Sequence, residues 1–281
     1  MVCTTAAAAG VPETFKSSLK ITHIGTATAV LNIDGVNFLT DPYFSPPETK
    51  HEVGPDQYLT NAEALGLQLN ELPPIDCVLL SHEDHADNLD EPGRTLLNGR
   101  HVLTTLDGAK NLAPRPAVKG LAEWETVKLT LGGKQFTITG TPCVHYPGGE
   151  VTGFIIETES FGKDPKSGKP NAIFISGDTI YTDELATQIP KKWNIVAAVL
   201  NLGKARVPHP DGKTGIIDVT MGGAEGAKLC KDIGADILVP MHFESWKHFT
   251  QYGGDLKKQF QEAGVADMVC WLEPGKEKTV I

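Results

Sequence analysis

Cys77-Val78-Leu79-Leu80-Ser81-His82-Glu83-Asp84-His85-Ala86-Asp87-Asn88-Leu89-Asp90 carries the most information in this chain. It opens as a short apolar run, the pattern of a strand buried on both faces. It then turns at once to two histidines and several carboxylates. Such groups are costly to bury without partners. Collected at the end of a buried strand, they are the material of a divalent-metal site. The plainer alternative is a solvated acidic loop with two incidental histidines.

The arrangement recurs three times downstream. His145 follows the apolar run 136–141, Asp178 follows Ile173-Phe174-Ile175-Ser176-Gly177, and His242 follows Ile237-Leu238-Val239-Pro240-Met241. One His or Asp at a strand end is more often a cap or a surface residue. Four strand ends in series point elsewhere, because one edge of a sheet gathers several of them. That rigid edge is what ligands need to sit about 2.0–2.2 Å from a common ion.

Composition narrows the function classes. The 281 residues suffice for a full core, and 40% hydrophobic with 21% charged residues describes an ordinary globular protein. The formal net charge of −10, without any Lys/Arg-rich run, argues against a nucleic-acid partner while leaving a small anionic substrate open. Five scattered cysteines without a CxxC pair suggest a reduced, cytoplasmic protein. Residues 1–10 lack a basic leader region, no apolar stretch reaches membrane-spanning length, and the C-terminus matches no anchor. The expected partner is a small molecule; self-association is left open.

Periodicity predicts strands at 21–25, 27–33 and 36–40, with Asp34-Gly35 as a hairpin turn. A short helix at 61–67 precedes the buried strand and the His/Asp cluster. Next come a helix at 92–97, a strand at 101–105, a helical turn at 108–112, and a meander over 126–131, 135–141 and 151–158. Strands at 172–176, 195–202, 236–240 and 268–272 alternate with helices at 182–189, 221–233 and 255–263. Strands this apolar need cover on both faces. The expected fold is α/β, an αββα sandwich of two mixed sheets packed face to face with helices on the outer faces. We expect one domain over 1–281, with 1–18 as a flexible N-terminal extension.

Six segments resemble the metallo-β-lactamase superfamily: Thr22-His23-Ile24-Gly25-Thr26-Ala27, Leu39-Thr40-Asp41-Pro42, Ser81 to Asp90, Gly149-Glu150-Val151-Thr152-Gly153-Phe154, Ser176-Gly177-Asp178-Thr179 and Val239-Pro240-Met241-His242-Phe243-Glu244. The resemblance covers nearly the whole chain and is strongest toward ascorbate-lactonase-like and N-acyl-phosphatidylethanolamine phospholipase-like proteins. It implies one or two metals at one sheet edge of an αββα sandwich. The family's first motif is His-x-His-x-Asp-His; this chain reads His82-x-x-His85-x-Asp87-Asn88. The favoured register makes His82, His85 and Asp87 ligands. A competing register uses Asp84.

In the favoured register the resemblance implies one ion on His82, His85 and His145 with Asp178 bridging. A second would sit on Asp87, Asp178 and His242, with Asn88 as a weak ligand in place of an imidazole. An amide oxygen is harder and usually weaker than imidazole, so the second ion should be the more exchangeable. Zinc is the expected metal; manganese or iron would also suit these donors. Asp87 and Asp178 would orient a hydroxide generated at the metal. No serine or cysteine nucleophile is needed, and Cys143 reads as packing. Asp41 would hold a ligand imidazole in its binding tautomer, or else is a turn residue before proline. His23 reads as structural.

On the substrate side, the loops 42–58, 146–150 and 204–215 are the expected pocket walls. Tyr146, His209 and His248 could meet substrate there. Lys204 and Arg206 could grip a carboxylate, or else belong to a solvated loop. The implied activity is metal-dependent hydrolysis of a small cyclic amide, carbamate or ester of lactam or lactone type. A phosphodiesterase or phospholipase-type hydrolase and a non-catalytic metal-binding protein are the alternatives.

Overall fold

A computed structural model describes residues 10–54, 57–209 and 215–281. Along the chain run β1 (Leu19–Gly25), β2 (Thr28–Ile33), β3 (Val36–Thr40), β4 (Lys50–Gly54), β5 (Gln57–Thr60) and β6 (Cys77–Leu79), then α1 (Glu91–Leu96), β7 (His101–Thr105), α2 (Leu106–Asn111) and β8 (Val118–Leu121). The second half holds β9 (Thr126–Leu131), β10 (Lys134–Pro142), β11 (Thr152–Thr158), β12 (Asn171–Ile175), α3 (Asp183–Lys192) and β13 (Asn194–Asn201). It continues with β14 (Arg206–Pro208), β15 (Ile216–Asp218), α4 (Gly223–Ile233), β16 (Ile237–Met241), α5 (Gly253–Glu262) and β17 (Lys278–Thr279).

Two sheets form, ordered β17-β1-β2-β3-β6-β7-β8 and β16-β13-β12-β11-β10-β9. Both are mixed: β1-β2-β3 and β9-β10-β11-β12 are antiparallel, whereas β3-β6-β7-β8 and β12-β13-β16 are parallel. Side chains alternate along a strand, and this builds the layers. In β6, Cys77 and Leu79 enter the core between the sheets, while Val78 and the following Leu80 face outward under Leu96, Leu97 and Leu112. In β12, Ile173 and Ile175 point inward, and Ala172 and Phe174 outward beneath Leu185, Leu229 and Phe260. Phe38 of β3 meets Phe136 of β10 edge to face, ring centres 5.1 Å apart, closing the two sheets on each other. This is the expected αββα sandwich. Among the described residues no helix is long and apolar enough to cross a membrane.

Three local expectations change, and some elements carried no signal. Residues 61–67 are not helical; Asn61 instead forms an isolated bridge with Trp246. The expected strand at 268–272 is reduced to a bridge between Val269 and Leu238, and the last strand is β17, paired with β1. The hairpins β4–β5 and β14–β15 and the strand β8 had no signal strong enough to be read. Finally, residues 1–9 of the expected extension lie outside the described residues, but its remainder is held. Phe15 is buried and stacks on Phe161 at 4.6 Å, and Lys16 N–H donates to the Ser160 carbonyl. A buried aromatic anchors the segment that its polar neighbours made look loose.

Candidate metal centre

The ends of β3, β6, β10, β12, β13 and β16 deliver Asp41, His82, His145, Asp178, Asn201 and His242 to one edge of the sandwich. The bend into Asp178 needs Gly177, whose φ is 59° and whose added Cβ would lie 2.7 Å from the Thr152 carbonyl. Two groups result: His82, His85 and His145, and Asp87, Asp178 and His242, each with ligand atoms within 4.8 Å of one another.

In the first group every imidazole has one nitrogen engaged outward. Ser81 Oγ lies 2.8 Å from His82 Nδ1, the Pro147 carbonyl faces His85 Nε2, and the Val219 carbonyl lies 2.7 Å from His145 Nδ1. A carbonyl only accepts, so His85 and His145 donate outward and turn lone pairs inward. His82 does the same where Ser81 Oγ donates to Asp41. His85 Nδ1 then lies 3.0 Å from His82 Nε2 and 3.3 Å from His145 Nε2. A tetrahedron with nitrogens about 2.05 Å from zinc has edges of about 3.3 Å. Burial first, then the neighbouring His85 and His145, holds the His82 imidazolium well below its usual pKa; burial also lowers His145. Uncharged imidazoles aiming lone pairs at one point fit a cation.

The second group is buried throughout, and several of its ligand atoms are unsupported. Among the described residues Asp87 Oδ1 and both nitrogens of His242 have no hydrogen-bond partner. His242 Nδ1 lies 3.3 Å from Asp178 Oδ1 as an ion pair, and Asn201 Nδ2 donates to that oxygen at 2.8 Å. Burial works against ionisation of Asp178, but the paired His242 outweighs it and holds the carboxyl well below the usual range. His242 is raised, its burial outweighed by Asp178. Buried polar atoms without partners are expensive; a divalent ion would satisfy Asp87 Oδ1 and take the lone pair of His242 in its neutral form.

The acids of the two registers of the first motif stand in different places. Asp87 lies with Asp178 and His242, whereas Asp84 Oδ2 accepts from Gly149 N–H at 2.7 Å and belongs to the turn beside the site. Asn88 is fully buried; its Oδ1 has no partner and its Nδ2 is 3.5 Å from Ser81 Oγ. Among the described residues Asp41 makes no hydrogen bond to an imidazole, so the expected direct hold on a ligand ring is not seen. Its carboxylate accepts from Ser81 N–H at 2.7 Å and Ser81 Oγ at 3.0 Å, so it acts on His82 through the serine. Burial, with Asp178 nearby, pushes Asp41 up to about 8 against those two bonds.

The second group opens into a cavity of about 580 Å³ lined also by His85, His145, Tyr146, His209 and His248. Lys204 and Arg206 are not among its lining residues. Both are held by Asp218, Arg206 Nε at 2.7 Å and Lys204 Nζ at 3.3 Å, with Glu225 3.6 Å from Lys204. These pairings go with the solvated-loop alternative rather than with a grip on a carboxylate. His23 is buried against the Thr26 carbonyl, His51 contacts Tyr43 Oη at 3.1 Å, and Cys143 Sγ faces the Ser176 carbonyl at 3.3 Å. Sequence reasoning missed Ser81 and Asn201. Both were visible as polar residues ending apolar strands; the supporting carbonyls of Pro147 and Val219 leave no trace in side-chain chemistry.

Two face-packed mixed sheets with paired His/Asp groups at one edge define the metallo-β-lactamase fold class. The model of the beta-lactamase superfamily domain matches residues 36–243, and the chain belongs to that superfamily. It is 25% identical over 270 residues to a metal-dependent hydrolase of Methanopyrus kandleri, covering 92% of this chain and 98% of that relative. It is 26% identical over 183 residues to the mitochondrial N-acyl-phosphatidylethanolamine-hydrolyzing phospholipase D of Saccharomyces cerevisiae, covering 61% of this chain and 36% of that protein. The crystal structure of isothiocyanate hydrolase from Delia radicum gut bacteria shares the fold, with a TM-score of 0.72 at 21% identity, covering 92% of this chain and 98% of that one.

Proposed function

We propose that the protein is a metal-dependent hydrolase of a small cyclic amide, carbamate or ester, with His82, His85, His145, Asp87, Asp178 and His242 as metal ligands. The observation that carries this reading is the inward convergence of three imidazole nitrogens beside a buried Asp/Asp/His group at the mouth of one cavity. When bound, a divalent ion such as zinc supplies Lewis acidity and lowers the pKa of water toward neutrality. The chain's own residues do the rest. Ser81, Pro147 and Val219 fix the tautomers of the three imidazoles. Asn201 fixes Asp178 by its Oδ1. Asp87 offers Oδ1, an acceptor without a partner among the described residues, to orient a water in the cavity or take its proton. No Lys or Arg lines the cavity among the described residues, which favours an uncharged acyl substrate over a phosphodiester.

The test is elemental mass spectrometry of protein purified without chelator, for wild type and His82→Ala, followed by lactone, lactam and phosphodiester panels. One or two transition-metal ions per chain, lost in the variant, with lactone or lactam turnover, is the expected result. Wild type without metal after incubation with zinc or manganese would overturn the reading. Turnover of phosphodiesters alone would move it to the phospholipase class.

A further inference from the structure

Three apolar clusters build the sandwich: one between the sheets and one on each outer face. A fourth, smaller cluster stands apart from them beside the candidate centre. Its deep part is Tyr43 and Trp246, both fully buried and packed edge to face at 5.3 Å. Its front is Leu59 of β5, Val207 of β14, the adjoining Ala205 and Val219, and Phe249; all five also line the cavity. The cluster therefore presents a rigidly backed apolar wall to a void. Leu59 and Val207 are only half-buried, so they keep apolar surface that a ligand would cover.

Charge on this side is arranged against anions. In the β14–β15 hairpin Arg206 pairs with Asp218 and Val207 with Ile217. Neighbouring residues of a strand point to opposite faces, so the Arg206–Asp218 pair lies on the face opposite Val207. The charged residues that do line the cavity outside the ligand groups include the carboxylates Glu52 and Asp84. Among the described lining residues an anionic substituent would meet them without a compensating Lys or Arg, whereas an uncharged one loses nothing there. The volume of about 580 Å³ exceeds what a reacting head alone would fill.

We propose that this wall binds an uncharged alkyl or aryl arm adjoining the bond that is cleaved, making the substrates neutral acyl compounds with a hydrophobic substituent. The inference rests on the hydrolase reading, because the arm is anchored by a head held at the metal ligands.

Alkyl hydroxamic acids separate the two, since their head chelates metal and their tail varies alone. Binding of acetohydroxamic through octanohydroxamic acid to metal-loaded protein is measured by titration calorimetry. Affinity should rise about threefold to fourfold for each methylene that reaches the wall. Succinic monohydroxamic acid, whose arm ends in a carboxylate, should bind more weakly than pentanohydroxamic acid. Val207→Asp should cut octanohydroxamic acid binding by about thirtyfold, as several methylenes lose their contact, and leave acetohydroxamic acid within twofold. Should that variant not fold, Leu59→Ser and Val207→Thr should each flatten the chain-length series in the same sense. Acetohydroxamic acid binding with a flat series, or a series unchanged in the variants, overturns the wall while leaving the hydrolase reading intact. Failure of acetohydroxamic acid itself to bind overturns both.

Discussion

His82, His85 and His145 each have one nitrogen engaged by an oxygen of the chain, whereas His242 has neither nitrogen in a hydrogen bond and Asp87 keeps an unpartnered Oδ1. The two groups are neighbours at one sheet edge, yet they answer the cost of polar burial differently. In the first, serine and carbonyl oxygens orient the rings in advance, so the lone pairs already converge. In the second, charge is balanced chiefly within the Asp178–His242 pair, and donors are missing. Preorganisation lowers the cost of binding. The first group should therefore take its ion more tightly, and the second should depend on its ion for its own order. Asp236 is a useful third case. It is a partly buried carboxyl with an unpartnered Oδ2 and no ligand group around it, and burial, reinforced by Asp164, pushes it up to about 7. Protonation relieves it, whereas the paired His242 keeps Asp178 ionised.

The largest effect expected is from Asp178→Ala. It removes the residue that faces both groups, and hydrolysis should fall by about a thousandfold or more, the several kcal/mol a metal centre supplies; steady-state rates with metal content measured in parallel check this. Retained activity would break the comparison outright. Ser81→Ala should weaken the first ion by about 10-fold to 100-fold, the usual cost of losing a group that orients a ligand, and chelator competition reads it. If Ser81→Ala affects only the second ion, the assignment of the two groups is wrong. Asn88→His should tighten the weaker ion by about tenfold by restoring an imidazole, with little effect on the tighter one. The same competition titration checks it, and no change in either ion would count against Asn88 as a ligand position.

The smallest effect concerns Asp236. Its folded pKa is raised, so between about 4 and about 7 the unfolded chain has released a proton that the native state still holds. Stability contributed by this residue is therefore full at acid pH and declines as pH rises through that window. Asp236→Asn should flatten that slope, seen as a thermal midpoint less dependent on pH between 4 and 7. A slope unchanged in the variant would show that a lone buried carboxyl is not relieved as argued.

Much of the centre was legible because its residues obey a simple rule: a polar ligand directly after a run of apolar, two-faced strand. Asp178 and His242 could be picked out by that rule alone. His85 against Asp84 and Asp87 could not, since several polar residues follow one another in a turn and the chain path decides which faces inward. Asp41 was found as a supporting residue, but its partner was mistaken, because the hydroxyl of Ser81 intervenes. Lys204 and Arg206 could by position have met a substrate or belonged to a solvated loop. Asp218, twelve or more residues away, holds them in a hairpin whose strands are three residues each, too short to show alternation.

The sequence by itself determined the layered α/β sandwich, the sheet edge where the His/Asp groups collect, and the kinds of residue found there. Those follow from local period-two burial and from the cost of placing imidazoles and carboxylates beside a core. Only the tertiary structure decided which histidine nitrogens face inward, which acid joins which group, and which loops wall the cavity. Such choices depend on backbone carbonyls and on residues far apart in the chain, among them Val219 opposite His145 and Val207 beside Leu59.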